Sequence, residues 1–319
     1  MAGDSEAVSR APRSLKRTLR IICGPTGAGK SAVALELCET TSAAIISADS
    51  RQIYRGFDIG TAKPTLEERT RVTHYGIDVA QPEERYSAAR WSGEAEAWID
   101  CAAKMGKDSA IVGGTGLYIK ALVTPLFTVP EIDPLQRAEL GRELATKSLA
   151  ELRRWCDQLD PARAHLGRTQ LLRAIETALL SGSRISELHA DHKASAQAPD
   201  REAAYLVLDP GPALSARIEE RVDKMLNAGW AEEVRELMET VPADAPAWKA
   251  SGYRVMREHV EGHLDLSSAR QRIIIETRQY AKRQRTWFRH QLPPAAVTTV
   301  NPEDSQARAQ VREWWKRAD

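Results

Sequence analysis

No stretch of the 319-residue chain approaches the ~20 consecutive apolar residues that a membrane-spanning helix needs. Neither a transmembrane segment nor a membrane partner is therefore expected. Cysteine is scarce and scattered. Cys23, Cys38, Cys101 and Cys156 form no C-x-x-C pair, which argues against a zinc site or a disulfide framework and fits a reducing, cytoplasmic compartment. An excess of one charge is missing too, with 45 Lys and Arg against 44 Asp and Glu. Bulk basicity thus gives no case for nucleic acid, and any such site must be a local patch. The pairs His189/His192 and His259/His263 have helical spacings but no third ligand nearby, so they read as surface residues. The N-terminus has no apolar signal core. Residues 1–18 are rich in Ser, Arg and Ala, yet Asp4 and Glu6 argue against a transit peptide, and a disordered tail over 1–17 is the expectation. With 42% hydrophobic and 28% charged residues, the chain has the composition of a globular protein, long enough for one large domain plus an insertion.

What is present centres on Gly24-Pro25-Thr26-Gly27-Ala28-Gly29-Lys30-Ser31, a match to G-x-x-x-x-G-K-[ST]. Leu19 to Cys23 reads as a short buried strand before it, and Ala32 to Leu37 as the first turns of a helix after it. A strand, a glycine loop and a helix N-terminus together aim unpaired N–H groups and the positive dipole end at an anion. Lys30 adds a charge for the terminal phosphate, and the Ser31 hydroxyl is the candidate ligand for Mg²⁺. The loop alone does not say which phosphates it holds.

A second buried strand, Ala43 to Ala48, delivers Asp49-Ser50 at its C-terminal end, where ligands of open parallel sheets sit. The alternative for Asp49 is a cap on the following turn. Residues 51–64 carry three positive charges, two glycines and a proline and read as an irregular segment lining the site. Tyr86 to Met105 reads as a helix with Trp91 and Trp98 packed inward, and Ala110 to Val112 as a strand running into Gly113-Gly114-Thr115-Gly116. From Val129 to Asp200 the pattern turns helical, with stretches at 135–145, 148–159 and 169–180; Asp133-Pro134 and Asp160-Pro161 both read as helix starts. The α/β pattern resumes with a strand at Tyr205–Leu208 and a helix from Pro212 to Ala228, whose apolar face is Leu214, Ile218, Val222 and Met225. A long helix follows from Ser267 to His290. Arg278, Lys282, Arg285 and Arg289 share one stripe of it, and residues 268–289 hold seven Lys and Arg against the single acid Glu276, a pattern that favours a phosphate-backbone contact. Residues 304–317 read as a short amphipathic helix with Trp314 and Trp315. The expected architecture is a P-loop NTPase-like α/β fold, a parallel sheet flanked by helices. Its core covers 18–128 and 201–295, with an all-helical insertion at 129–200 and a C-terminal extension at 296–319.

These segments resemble one family. The loop GPTGAGKS, the stretch from Ile46 to Pro64, and Val112 to Leu122 are similar to the tRNA dimethylallyltransferases. So are Leu171 to Glu176, Ser251 to Arg254 and Ala281 to Arg289. The resemblance implies transfer of a dimethylallyl group from dimethylallyl diphosphate to N6 of the adenosine just 3′ of a tRNA anticodon (tRNA position 37), with release of diphosphate. It implies that Gly24 to Ser31 hold the diphosphate, with Lys30 and Mg²⁺ stabilising the departing charge. Thr115 corresponds to a threonine that hydrogen-bonds the oxygen being cleaved. Asp49 corresponds to a carboxylate that engages the N6 amine, and Arg254 to an arginine near the diphosphate. Contact with tRNA is implied for Asp49, Ser50, Arg51 and Gln52, for Thr169, Gln170, Leu171, Leu172 and Arg173, and for Lys249, Gly252, Tyr253 and Arg254. Lys282, Arg283, Gln284, Arg285, Trp287 and Arg289 belong to the same set, with Arg137 in support. The chain departs from the family pattern at His74-Tyr75, at Leu166 to Gln170 and at Lys249. The partners expected are tRNA and dimethylallyl diphosphate, met by a monomer. Two other readings compete. An adenylate isopentenyltransferase acting on free AMP, ADP or ATP shares the loop and Asp49 but lacks much of the insertion and the basic helix; a P-loop small-molecule kinase would need ATP.

Overall fold

The strand Leu19–Cys23 (β1) is buried along its whole length between two parallel neighbours, and its one charged residue, Arg20, pairs with Asp108 at 3.5 Å. In the computed structural model, which describes residues 18–124, 130, 132–194 and 201–318, β1 lies inside a six-stranded sheet. Chain order then gives α1 (Lys30–Thr41), β2 (Ala44–Ser47), α2 (Leu66–Arg71), β3 (His74–Tyr75), α3 (Ala88–Lys104), β4 (Ser109–Gly113) and α4 (Gly116–Val123). After four helices of the insertion, α5 (Pro134–Ala145), α6 (Leu149–Leu159), α7 (Arg168–Ser181) and α8 (Ile185–Ala194), the sheet is completed. That part comprises β5 (Ala203–Leu208), α9 (Leu214–Asn227), α10 (Trp230–Thr240), α11 (Tyr253–Val260), α12 (Leu266–Gln291), β6 (Val297–Val300) and α13 (Ala307–Arg317). Strand order is β3-β2-β4-β1-β5-β6, and every pairing is parallel.

The chain divides into two compact units, one of residues up to Thr124 and from Arg201 on, the other Pro125–Asp200. In the first, the sheet packs on α1 and α13 through Ile22, Ala34, Leu37, Val112, Leu206, Trp314 and Trp315. Fully burying each large apolar side chain contributes ~1.5–3 kcal/mol, so the C-terminal residues are part of this core. The segment read as an extension at 296–319 supplies both the edge strand β6 and the helix α13. A separate cluster around Phe57, Trp230, Trp248, Tyr253 and Ile273 joins the 51–64 segment to α10, α11 and α12.

The second unit has its own core of Leu144, Leu152, Cys156, Leu171, Ala174 and Ile175. Asp133 caps α5, its carboxylate accepting the Leu135 N–H at 2.8 Å. Asp160 does not start an α-helix as its Asp-Pro sequence suggests. Only a single 3₁₀ turn follows, Pro161–Arg163, and the buried carboxylate instead accepts the Ser186 N–H at 3.1 Å, tying α8 to α6. Arg168 explains part of the unusual turn at 166–170: its guanidinium donates to the Lys147 carbonyl at 2.7 Å and the Ala145 carbonyl at 2.9 Å, closing the end of α5. The tail expected over 1–17 lies outside the described residues.

Candidate active site

Three strand ends deliver the site. β1 runs into Gly24–Gly29, β2 into Asp49, and β4 into Gly113–Thr115, all at the carboxyl edge of the sheet. Gly113 is required by the close approach of the last two: a Cβ there would lie 2.1 Å from the Ala48 carbonyl oxygen. α1 begins behind Gly29, which sits in the left-handed region at φ 86°, with no side chain capping its N-terminus. Its first N–H groups therefore stay free for an anion.

Lys30, Ser31, Asp49, Arg51, Gln52 and Gly114 line a cavity of about 190 Å³ at this edge. Its far walls come from Gly60 and Thr61 in the irregular segment, from Arg221, Val222 and Met225 of α9, from Trp230, and from Ile273, Thr277 and Tyr280 of α12. The lining thus combines cations and backbone amides with apolar side chains. The Lys30 ammonium donates to the Gly24 and Pro25 carbonyls at 2.9 and 2.8 Å. Burial lowers its pKa to about 8; the nearby Asp49 carboxylate opposes that fall and the Arg221 cation adds to it. Asp49 accepts the Arg51 N–H at 2.9 Å while still lining the cavity, so the turn-capping role and the site role coexist. Thr115 Oγ1 accepts the Ser50 N–H at 3.0 Å, stitching the β4 loop to the β2 loop. Beside it, burial followed by the Asp49 charge pushes the Tyr280 hydroxyl up to about 12, so it stays protonated at neutral pH.

Several residues assigned by resemblance to nucleic acid do other work. Gln284 is buried on α12; its amide oxygen accepts the Thr26 N–H and its amide nitrogen donates to the Gly114 carbonyl, each at 2.8 Å. The side chain thereby clamps two of the three loops. Tyr253 is fully buried under the 51–64 segment and Leu171 fully buried in the insertion's core. Gly252, at φ 86°, packs against Trp230. Trp287 covers Gly116 at the start of α4. The basic stripe of α12 is partly neutralised. Arg278 pairs with Glu219 of α9 and Arg285 with Asp209 beyond β5, whereas Lys282, Arg283 and Arg289 are exposed. Arg254 lies on the surface of α11, held 3.7 Å from Glu258 and 3.4 Å from Glu276, and does not line the cavity. Two arginines do, Arg51 of the β2 loop and Arg221 of α9, and the Arg221 Nη2 donates to the Thr61 carbonyl at 3.4 Å. One sequence signal pointed to it: Arg221 falls three residues after Ile218 and four before Met225, a cation on the apolar face of its helix. In the insertion, Thr169, Gln170 and Arg173 are exposed at the start of α7, Leu172 is half-buried, and Arg137 pairs with Glu176 at 2.9 Å. Lys249 is exposed in a 3₁₀ turn. No group of three or more His, Cys, Asp or Glu that could hold a metal occurs among the described residues.

The chain matches the family model described as IPP transferase over residues 52–291, and that described as isopentenyl transferase over residues 17–78. It is 40% identical over 314 residues to a tRNA dimethylallyltransferase of Burkholderia ambifaria, covering 95% of this chain and 96% of the relative. A tRNA dimethylallyltransferase of a Cyanothece species is 38% identical over 292 residues, covering 90% and 93%. Among solved structures, a tRNA delta(2)-isopentenylpyrophosphate transferase from Staphylococcus epidermidis superposes with a TM-score of 0.66 at 31% identity, covering 95% of this chain and 99% of that one. A eukaryotic dimethylallyltransferase acting on tRNA shares the fold with a TM-score of 0.76 at 23% identity, covering 93% and 78%. With a family model matched over most of its length and relatives about 40% identical along nearly the whole of it, the chain belongs to the IPP transferase family.

Proposed function

We infer that the chain transfers a dimethylallyl group from dimethylallyl diphosphate to N6 of the adenosine just 3′ of a tRNA anticodon. The observation that carries this reading is the single cavity shared by Lys30, Asp49 and Arg221, with an apolar side made by Val222, Met225, Trp230 and Ile273. A kinase needs only a phosphate cradle and an acceptor; an apolar wall beside the cradle suits a diphosphate with a hydrocarbon tail. The amides at the start of α1, Lys30 and Arg221 bind the diphosphate and are aimed where negative charge grows as the allylic C–O bond breaks. The N6 lone pair forms the new C–N bond, the C–O electron pair leaves on diphosphate, and Asp49 accepts the proton that N6 gives up. Thr115, on the loop after β4 and bonded to the Ser50 loop, is the hydroxyl donor for the departing oxygen.

The oxygen donors here fit Mg²⁺. Ser31 lines the cavity next to Lys30, and this ion commonly binds through one protein oxygen and substrate phosphates. When bound, it would neutralise diphosphate charge. For the base to reach the cavity it must leave its stack, which is how single-stranded RNA is commonly read. Exposed Lys282, Arg283 and Arg289 then hold backbone phosphates. Incubation with labelled dimethylallyl diphosphate and a choice of unmodified tRNA, AMP or ATP tests the reading. Label should enter tRNA; label in AMP would favour the adenylate enzyme, and none in either would refute prenyl transfer.

A further inference from the structure

The wall of the cavity opposite the phosphate loop is a piece of irregular backbone, Asp58 to Ala62, and something must hold it in place. Three successive N–H groups, of Asp58, Ile59 and Gly60, point the same way, an arrangement that commonly cradles an anion. Here the protein fills it with its own side chains. One oxygen of Glu233, on α10, accepts the Asp58 and Ile59 N–H groups at 3.0 and 2.6 Å. Its other oxygen accepts the Tyr253 hydroxyl at 2.6 Å, and that hydroxyl in turn accepts the Gly60 N–H at 3.1 Å. The network does not end at the backbone it caps. Gly60 and Thr61 line the cavity, and the Thr61 carbonyl is where Arg221 rests. Gln52, which also lines the cavity, donates to the Ala62 carbonyl at 3.0 Å.

We propose that Glu233 and Tyr253 are positioning residues: through the Asp58–Ala62 backbone they set where Arg221 meets the diphosphate, and neither touches tRNA. The proposal deepens the prenyl-transfer reading and rests on it. The buried state of Tyr253 supports it, since an anchoring side chain with no exposed surface has nothing to offer an RNA. Steric fit points the same way. Gly60 abuts the Trp230 ring so tightly that a Cβ would lie 2.3 Å from it, leaving the segment little room for another path.

The test compares wild type with Tyr253→Phe and Glu233→Gln. Inorganic pyrophosphate binding is measured by calorimetry without tRNA, tRNA binding by filter retention, and folding by thermal melting. Tyr253→Phe leaves the Gly60 N–H without its acceptor and one Glu233 oxygen without its hydroxyl donor, while the other oxygen keeps the Asp58 and Ile59 N–H groups. A bond to a charged group of this kind is worth roughly 10-fold or more in affinity, so pyrophosphate should bind roughly 10-fold more weakly while tRNA affinity holds. In Glu233→Gln the amide oxygen can still accept both N–H groups, so its pyrophosphate affinity should fall between wild type and Glu233→Ala. Loss of tRNA affinity with pyrophosphate binding intact would overturn the proposal and return Tyr253 to the RNA. Unchanged affinity for both would overturn it as well. Should Tyr253→Phe fail to fold, the glutamate pair decides: equal pyrophosphate affinity in Glu233→Gln and Glu233→Ala refutes a positioning role. A wild-type protein that binds pyrophosphate yet transfers no prenyl group would refute the reaction but not the positioning.

Discussion

Removing the Arg221 cation should change how Lys30 titrates, and the direction follows from the geometry. Lys30 has been brought down to about 8 mainly by burial, with Arg221 pulling in the same direction and Asp49 opposing. With a pKa of 8, about nine-tenths of Lys30 is protonated at pH 7 and about one-tenth at pH 9, so capture of a diphosphate by the free enzyme should weaken about tenfold over that span. Arg221→Met removes a like charge, so the midpoint should move above 8. Asp49→Asn removes an opposite charge, so it should move below 8. Arg221→Met should also weaken binding roughly 10- to 100-fold at neutral pH, the worth of a charge-assisted hydrogen bond. Calorimetric pyrophosphate affinities between pH 6.5 and 10 read both effects without turnover. The ligand's own titration is common to all three proteins and drops out of the comparison. A midpoint that stays put or falls in Arg221→Met would show that Arg221 and Lys30 do not share one field, and the assignment of both to the leaving group would fail.

Other outcomes follow from the same site. Asp49→Ala should cut turnover by roughly 10²–10⁴-fold, the range for a positioned acid or base, with pyrophosphate affinity largely kept; steady-state and binding assays separate the two. Changing Lys282, Arg283 and Arg289 together to Ala should flatten the log–log salt dependence of tRNA binding by ~2–3 units, about 0.7–0.9 per phosphate contact. Arg285→Ala should instead show mainly as a lower melting temperature, because it removes the Asp209 ion pair and the bond to the Gly211 carbonyl. Gly113→Ala should destabilise the fold by ~1–3 kcal/mol or more, since its methyl has no space against the Ala48 carbonyl; equal melting of mutant and wild type would contradict that packing.

Much of the fold was written locally. The run Leu19 to Cys23, the glycine loop and Lys30 announce a strand, an anion cradle and a helix within a dozen residues, because each depends on its own backbone and near neighbours. The helices of the insertion are equally legible through caps such as Ser148 with Glu151. Two strands were not. His74–Tyr75 is too short to show a period, and Val297–Val300, half exposed at the sheet edge, becomes a strand only because β5 offers it a partner. Helix periodicity likewise put Arg278 and Arg285 on a basic stripe but could not say that Glu219 and Asp209 would face them.

The sequence by itself determined the chemistry that short motifs encode: a phosphate-binding loop, the Asp49 carboxylate at a strand end, and the family to which their spacing is similar. Only the tertiary structure decided that Arg221 rather than Arg254 faces the cradle, that Gln284 joins two loops, and that Glu233 and Tyr253 seat the cavity wall. These partners lie tens to hundreds of positions apart. No local preference of the chain encodes such a meeting; it exists once burial has brought their helices against the sheet edge and each buried polar group must find its complement there.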